Sequence, residues 1–209
     1  MTHNSDFTNY LSYGRVRVSM SPTNDRRTRF LSGTLAGAGA FLASYLLIYL
    51  YSGRNVEESF QPIEQLLAVF EAEPIGTWRA VGWVLYSAHF VDLRVVTSIG
   101  GFESVSYVDL VREGSYTPEL LYLIPPLVLV VAGFLVARRV ESTAVSESAM
   151  TGATVAIGYA AAVLVGLYLF SYENTQPELV PAIVIAGFLY PVVFGAIGGA
   201  GASLELSRR

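Results

Sequence analysis

An all-α bundle of membrane helices is the fold class this sequence predicts: four spanning helices, with a short interfacial or re-entrant helix in one long loop. Three observations carry it. Apolar residues make up 53% of the 209-residue chain and charged residues only 14%, a balance foreign to a soluble domain. The charges avoid four runs, 30–53, 120–137, 148–172 and 179–204. Each run is close to or above the ~20 apolar residues that a helix needs to cross ~30 Å of hydrocarbon, and only a helix satisfies its own backbone there.

The first span is expected over 30–52. Residues 1–29 before it are polar, carry Arg15, Arg17, Arg26, Arg27 and Arg29, and lack the apolar core of a signal peptide. They are expected to form a disordered cytoplasmic tail, in which Met20 opens MSPTNDRRTRF and offers an alternative start. Arg26, Arg27 and Arg29 precede span one, Arg138 and Arg139 follow span two, and Arg208 and Arg209 follow span four. The positive-inside rule then places both termini and the 138–147 loop in the cytoplasm of a multi-pass cell-membrane protein. Tyr45, Tyr49 and Tyr51, Tyr116 and Tyr122, and Tyr168, Phe170 and Tyr172 fall at the opposite, outer interface, where amphipathic rings belong.

Residues 53–118 form an acidic outer module, with four Arg, nine acids and a net charge of −5. A helix is expected near 62–72, where Pro62 suits a first turn and Ile63, Leu66, Leu67 and Phe70 make one apolar stripe. A second is expected near 77–93. Only twelve residues lie between Arg79 and Asp92, too few to span, and a full crossing would move the Arg pairs of spans two and four outside. Gly100–Gly101 marks a turn. Residues 102–117 alternate too loosely to assign.

Three spans follow, 119–137, 149–171 and 179–204, and a cytoplasmic tail of 205–209. Small residues recur every four positions: Gly33 and Gly37 in span one, Gly158, Ala162 and Gly166 in span three, Gly195 and Gly199 in span four. This spacing lets helix backbones approach closely in lipid, within one bundle or across a dimer. Pro125–Pro126 and Pro191 are expected to bend spans two and four.

The span interiors hold no Asp, Glu, Arg or His, which argues against an ion-coupled transporter unless the outer segment dips inward. In that segment Arg79, His89, Asp92 and Arg94 are the candidate ligand or ion site. On a helix His89 and Asp92 share a face, so the carboxylate can orient the ring. The plain alternative is a headgroup-level helix with a locally satisfied pair, anchored by Trp78, Trp83 and Tyr86. Cysteine is absent, no metal site or cofactor is expected, and no nucleophile, phosphate-loop or dinucleotide pattern points to an enzyme. The acidic balance argues against nucleic acid.

The segment GTWRAVGWVLYSAHFVDLR, behind a Gly-rich first span and an acidic outer stretch, resembles small uncharacterised membrane proteins of halophilic archaea. All thirteen basic residues are Arg and none is Lys, which fits the same group and equally fits a GC-rich codon bias. Such proteins are sometimes labelled transporters, and the resemblance carries no functional residue across. The expected function is a non-enzymatic structural or accessory membrane component whose outer module meets a membrane or extracellular protein partner, or the lipid bilayer itself. The alternative is a small transporter or channel with a pathway beneath residues 78–94.

Overall fold

The computed structural model describes residues 22–69, 71, 73–114, 118–139 and 144–207. Of the expected disordered tail over 1–29, residues 1–21, with the alternative start at Met20, lie outside the described residues, as do Arg208 and Arg209, and 22–29 are helical. Four helices are long and apolar enough to cross a membrane: Phe30–Val69, Glu119–Arg138, Val145–Phe170 and Leu179–Leu206. Leu35, Leu42, Leu50, Val131, Leu164 and Phe188 are each more than half exposed, so the bundle turns apolar side chains outward around its girth. Such a surface is stable against hydrocarbon and not against water.

The first helix, α1 (Pro22–Val69), departs from expectation at both ends. It begins at Pro22, ahead of Phe30, and a proline at a first helical position costs no hydrogen bond. It then runs past residue 53 unbroken, so the separate helix expected near 62–72 is its continuation and Pro62 lies inside it. Pro62 is exposed, so water can serve the Glu58 carbonyl that lacks its donor. Leu67 of the expected stripe packs on the core, whereas Ile63 and Leu66 are exposed.

The all-α expectation is corrected by a small antiparallel sheet. The helix expected over 77–93 is shorter, α2 (Thr77–Ser87), and the chain then forms β1 (Leu93–Ile99) and β2 (Phe102–Val108). Gly100 and Gly101 have φ of 60° and 85°, which closes a two-residue hairpin turn between the paired Ile99 and Phe102. β2 is exposed on both faces, so it carries no apolar alternation that a period-two reading would detect. A third strand, β3 (Thr175–Pro177), joins the other edge of β1 and ties in the loop between the last two spans.

After the short α3 (Leu110–Glu113), a 3-10 turn over Glu119–Leu123 leads into α4 (Ile124–Arg138). The third span divides at Thr154 into α5 (Val145–Ala153) and α6 (Val155–Phe170). The fourth comprises α7 (Leu179–Pro181), a π-helical stretch over Ala182–Leu189, and α8 (Tyr190–Leu206). The prolines expected to bend spans two and four sit where helical winding changes. Pro125 and Pro126 open α4, and Pro191 follows the wider π turns, which relieve its clash with the preceding turn.

Glycines bring the helices together. α1 lies along α6, where a side chain on Gly37 would overlap the Val155 carbonyl and one on Gly158 the Thr34 carbonyl. Gly33 faces Thr154 on the same seam. α8 lies against α4 and α5 through Gly195, which meets Gly133 and Gly152, and through Gly199, which meets the Ser148 carbonyl. Close approach of this kind replaces the hydrophobic drive that lipid does not supply.

Candidate functional site

The middle of the segment that sequence reasoning singled out is buried inside the bundle. α2 enters beside α1 and α6, and every residue from Ala80 to His89 is buried. Gly82 lets it in, since a side chain there would collide with the Phe170 ring. Its polar tips reach the α6 backbone: Trp83 Nε1 donates to the Phe170 carbonyl at 2.6 Å and Tyr86 Oη to the Val163 carbonyl at 2.5 Å. Gly166 makes room for the Tyr86 hydroxyl. These carbonyls therefore serve α2 as rungs, which makes α2 a segment packed into the bundle rather than a surface one.

At the deep end sits His89, 1% exposed, at the level of Tyr159. Tyr159 lies eleven residues before the end of α6, so the ring stands about 16 Å down that helix. His89 Nδ1 is 2.7 Å from the Leu85 carbonyl and Nε2 is 2.7 Å from Tyr159 Oη. A carbonyl only accepts, so Nδ1 carries the proton, and a neutral ring then accepts from Tyr159 at Nε2. Ser44 of α1 lies beside the same tyrosine and donates its one proton to the Ala40 carbonyl at 2.9 Å. The Tyr190 ring packs 5.1 Å from the imidazole. The hydrogen bond of His89 to Tyr159 thus joins the end of α2 to α6 in the middle of the bundle, with Ser44 of α1 alongside.

The expected pairing of His89 with Asp92 does not form, because α2 stops before it. Val91 N–H donates to the Tyr86 carbonyl at 3.1 Å while Phe90 takes φ 58°, a left-handed helix ending usually built on glycine. Stacking of Phe90 on Tyr122, 4.4 Å apart and 9° from parallel, holds it there. Asp92 instead leads into β1, and its carbonyl accepts from Glu178 N–H at 2.9 Å. Its charged neighbours are Asp109, Arg112 and Glu113. Asp109 caps α3 through Val111 N–H at 2.9 Å and Arg112 N–H at 3.1 Å, and accepts from Tyr122 Oη at 2.5 Å.

Arg79 and Arg94 stand apart from that cluster. Arg79 lies ten residues before His89, near the start of α2; its guanidinium carbon is 4.8 Å from the Trp78 ring and 5.0 Å from the Tyr172 ring. Its Nη1 donates to the Ile75 carbonyl at 2.9 Å. Arg94 lies on β1, in register with Tyr107 and Gln176. The four predicted residues therefore do not converge on one site. Among the described residues, no group of three or more His, Asp or Glu side chains is placed to hold a metal ion.

Asp92 yields a pH-dependent expectation. Burial pushes its carboxyl above the ordinary carboxylate value, Asp109 pushes the same way, Arg112 opposes, and Glu113 adds to the rise. A raised folded-state pKa means that ionised Asp92 destabilises the fold at neutral pH. The penalty disappears below the unfolded-state value of about 3.9. Asp92→Asn is expected to raise the melting temperature at pH 7.5, with the gain shrinking to nothing as the pH approaches 4. Thermal denaturation in detergent at the two pH values measures this; a loss of stability at pH 7.5 would refute it.

Trp83, Tyr86, Gly82, Tyr159 and Ser44 were not among the predicted site residues, yet they hold the segment in place. Their signal in the sequence is faint, since the same runs hold other tyrosines and serines, such as Tyr168 and Ser52, that play no such part. No curated protein and no solved structure matches the chain. Residues 15–206 do match a described family, and the chain belongs to that family of unknown function (DUF7978).

Proposed function

We propose that the chain is a non-enzymatic accessory component of the cell membrane, with cytoplasmic termini and an outer module that meets a protein partner. The observation that carries this reading is the buried α2, whose Trp83 and Tyr86 are spent on α6 backbone carbonyls. A segment fixed in this way braces the outer module on the bundle. The module then presents β2, whose Phe102 and Tyr107 are 83% and 53% exposed. Arg26, Arg27 and Arg29 before the first span support the cytoplasmic orientation. The Lys-free, acidic composition and the resemblance to halophilic membrane proteins favour a salt-adapted source.

A small transporter or channel is the other reading, favoured by the buried pair of His89 and Tyr159. Against it, two cavities of about 550 Å³ each lie along α1 and are lined mainly by apolar side chains, not by a polar route under α2.

The native chain has no cysteine, so single introduced thiols report without background. Cysteine at the exposed Ser104 of β2 is expected to react with an impermeant bifunctional reagent in intact cells and to yield one discrete crosslinked protein. Cysteine at Ser207 is expected to stay protected until lysis. Labelling of Ser207→Cys in intact cells would overturn the orientation, and a reactive Ser104→Cys with no discrete adduct would overturn the partner-binding role.

A further inference from the structure

We propose that the groove between α1 and α6 is a binding site for one anionic phospholipid, its hydrocarbon chain along the groove and its phosphate on Arg79. The groove has a volume of about 550 Å³ and is lined by Ala38, Phe41, Tyr45, Trp78, Ala162 and Val165, among others. Its two hydroxyls at the walls are already occupied: Thr34 donates to the Phe30 carbonyl at 2.8 Å and Tyr45 to the Trp78 carbonyl at 3.0 Å. Nothing there asks for water, and a dry apolar space takes an apolar occupant. Leu42, Val165 and Leu169, each about half exposed, leave it open sideways to the bilayer.

The dimensions select the occupant. The groove runs along α6 from Phe170 to Gly158, twelve residues, or about 18 Å of helix. That is close to the ~15 Å hydrocarbon depth of one leaflet, so it fits one chain of a lipid lying parallel to its neighbours. Trp78 lies at its mouth, and Arg79 stacks on that ring. The Nε of Arg79 is buried with no hydrogen-bond partner, and among the described residues no carboxylate pairs with this guanidinium. A phosphate supplies the countercharge that this guanidinium lacks. Glu73 and Glu173 lie near Tyr172, so the selectivity rests on the one basic side chain and is modest.

The full chain in neutral detergent micelles provides the test, with phospholipids brominated on the chain as quenchers. Trp78 lines the groove at 44% exposure, whereas Trp83 is 3% exposed, so quenching reports on Trp78. Quenching by the phosphatidylglycerol form is expected to saturate and to be about fivefold tighter than by the phosphatidylcholine form, the factor expected for one basic side chain at a lipid headgroup. Arg79→Gln is expected to abolish that preference, and Ala161→Phe, which fills an exposed position of the groove wall, to weaken both lipids. Unsaturable quenching, equal for the two headgroups, would overturn the site in the wild-type chain itself. A preference that survives Arg79→Gln would overturn the headgroup assignment.

Discussion

Gly158→Leu is expected to lower the melting temperature in detergent by about 10 °C, corresponding to an overpacking cost of about 3 kcal/mol. The position is unforgiving because the atom a side chain would strike is the Thr34 carbonyl, part of the α1 backbone and unable to rotate aside. The mirror contact, Gly37 against the Val155 carbonyl, lies on the same seam, and Gly37→Leu is expected to cost as much. Separating the two helices also strains the Phe41–Tyr159 edge contact at 5.4 Å and the Tyr45–Phe170 stack at 5.7 Å. One control isolates the seam. Gly39 is exposed and faces open space, so leucine there is expected to leave the transition nearly unchanged. Equal melting temperatures for seam and control variants would show that close backbone approach does not hold the bundle together.

The seam was legible because its signal is local. Glycines four apart lie on one helix face whatever they touch, and uncharged runs announce spans by length alone. What α2 does was not legible, because its partners are remote: Trp83 and Tyr86 bond carbonyls 87 and 77 residues away. In sequence, a tryptophan or tyrosine that bonds a carbonyl inside a bundle looks the same as one that anchors a helix at a headgroup. The end of α2 was hidden for a related reason. A left-handed ending normally shows as Gly or Asn, and here Phe90 adopts it because Tyr122, thirty-two residues on, stacks against it. The sheet depends on β3, three residues that carry no strand signal of their own. In the candidate site, His89 lies at the buried end of the segment, but its supposed partner Asp92 belongs to the β1 and α3 surroundings.

His89→Ala is expected to destabilise the fold by about 4 kcal/mol, combining a buried cavity with two orphaned polar groups. The first orphan is the Leu85 carbonyl. Near the end of α2 the backbone donors of Ala88 and His89 go to Val84 and Tyr86, and the His89 ring closes the Leu85 gap. The second is the Tyr159 hydroxyl, buried at 0% exposure. Tyr159→Phe removes only the far side of the pair and is expected to cost about 2 kcal/mol, the penalty of one buried nitrogen left without its donor. If ring and phenol share one bond, His89→Leu combined with Tyr159→Phe should cost less than the sum of the two single changes, by about 1 kcal/mol or more, because the double variant leaves neither partner stranded. Chemical denaturation in mixed micelles measures all four corners of this cycle. Asp92→Asn added to His89→Ala should behave independently, since Asp92 faces Asp109, Arg112 and Glu113 instead. Strict additivity of the His89 and Tyr159 changes would dissolve the central polar pair, and coupling of His89 to Asp92 would restore the pairing that helical spacing alone suggested.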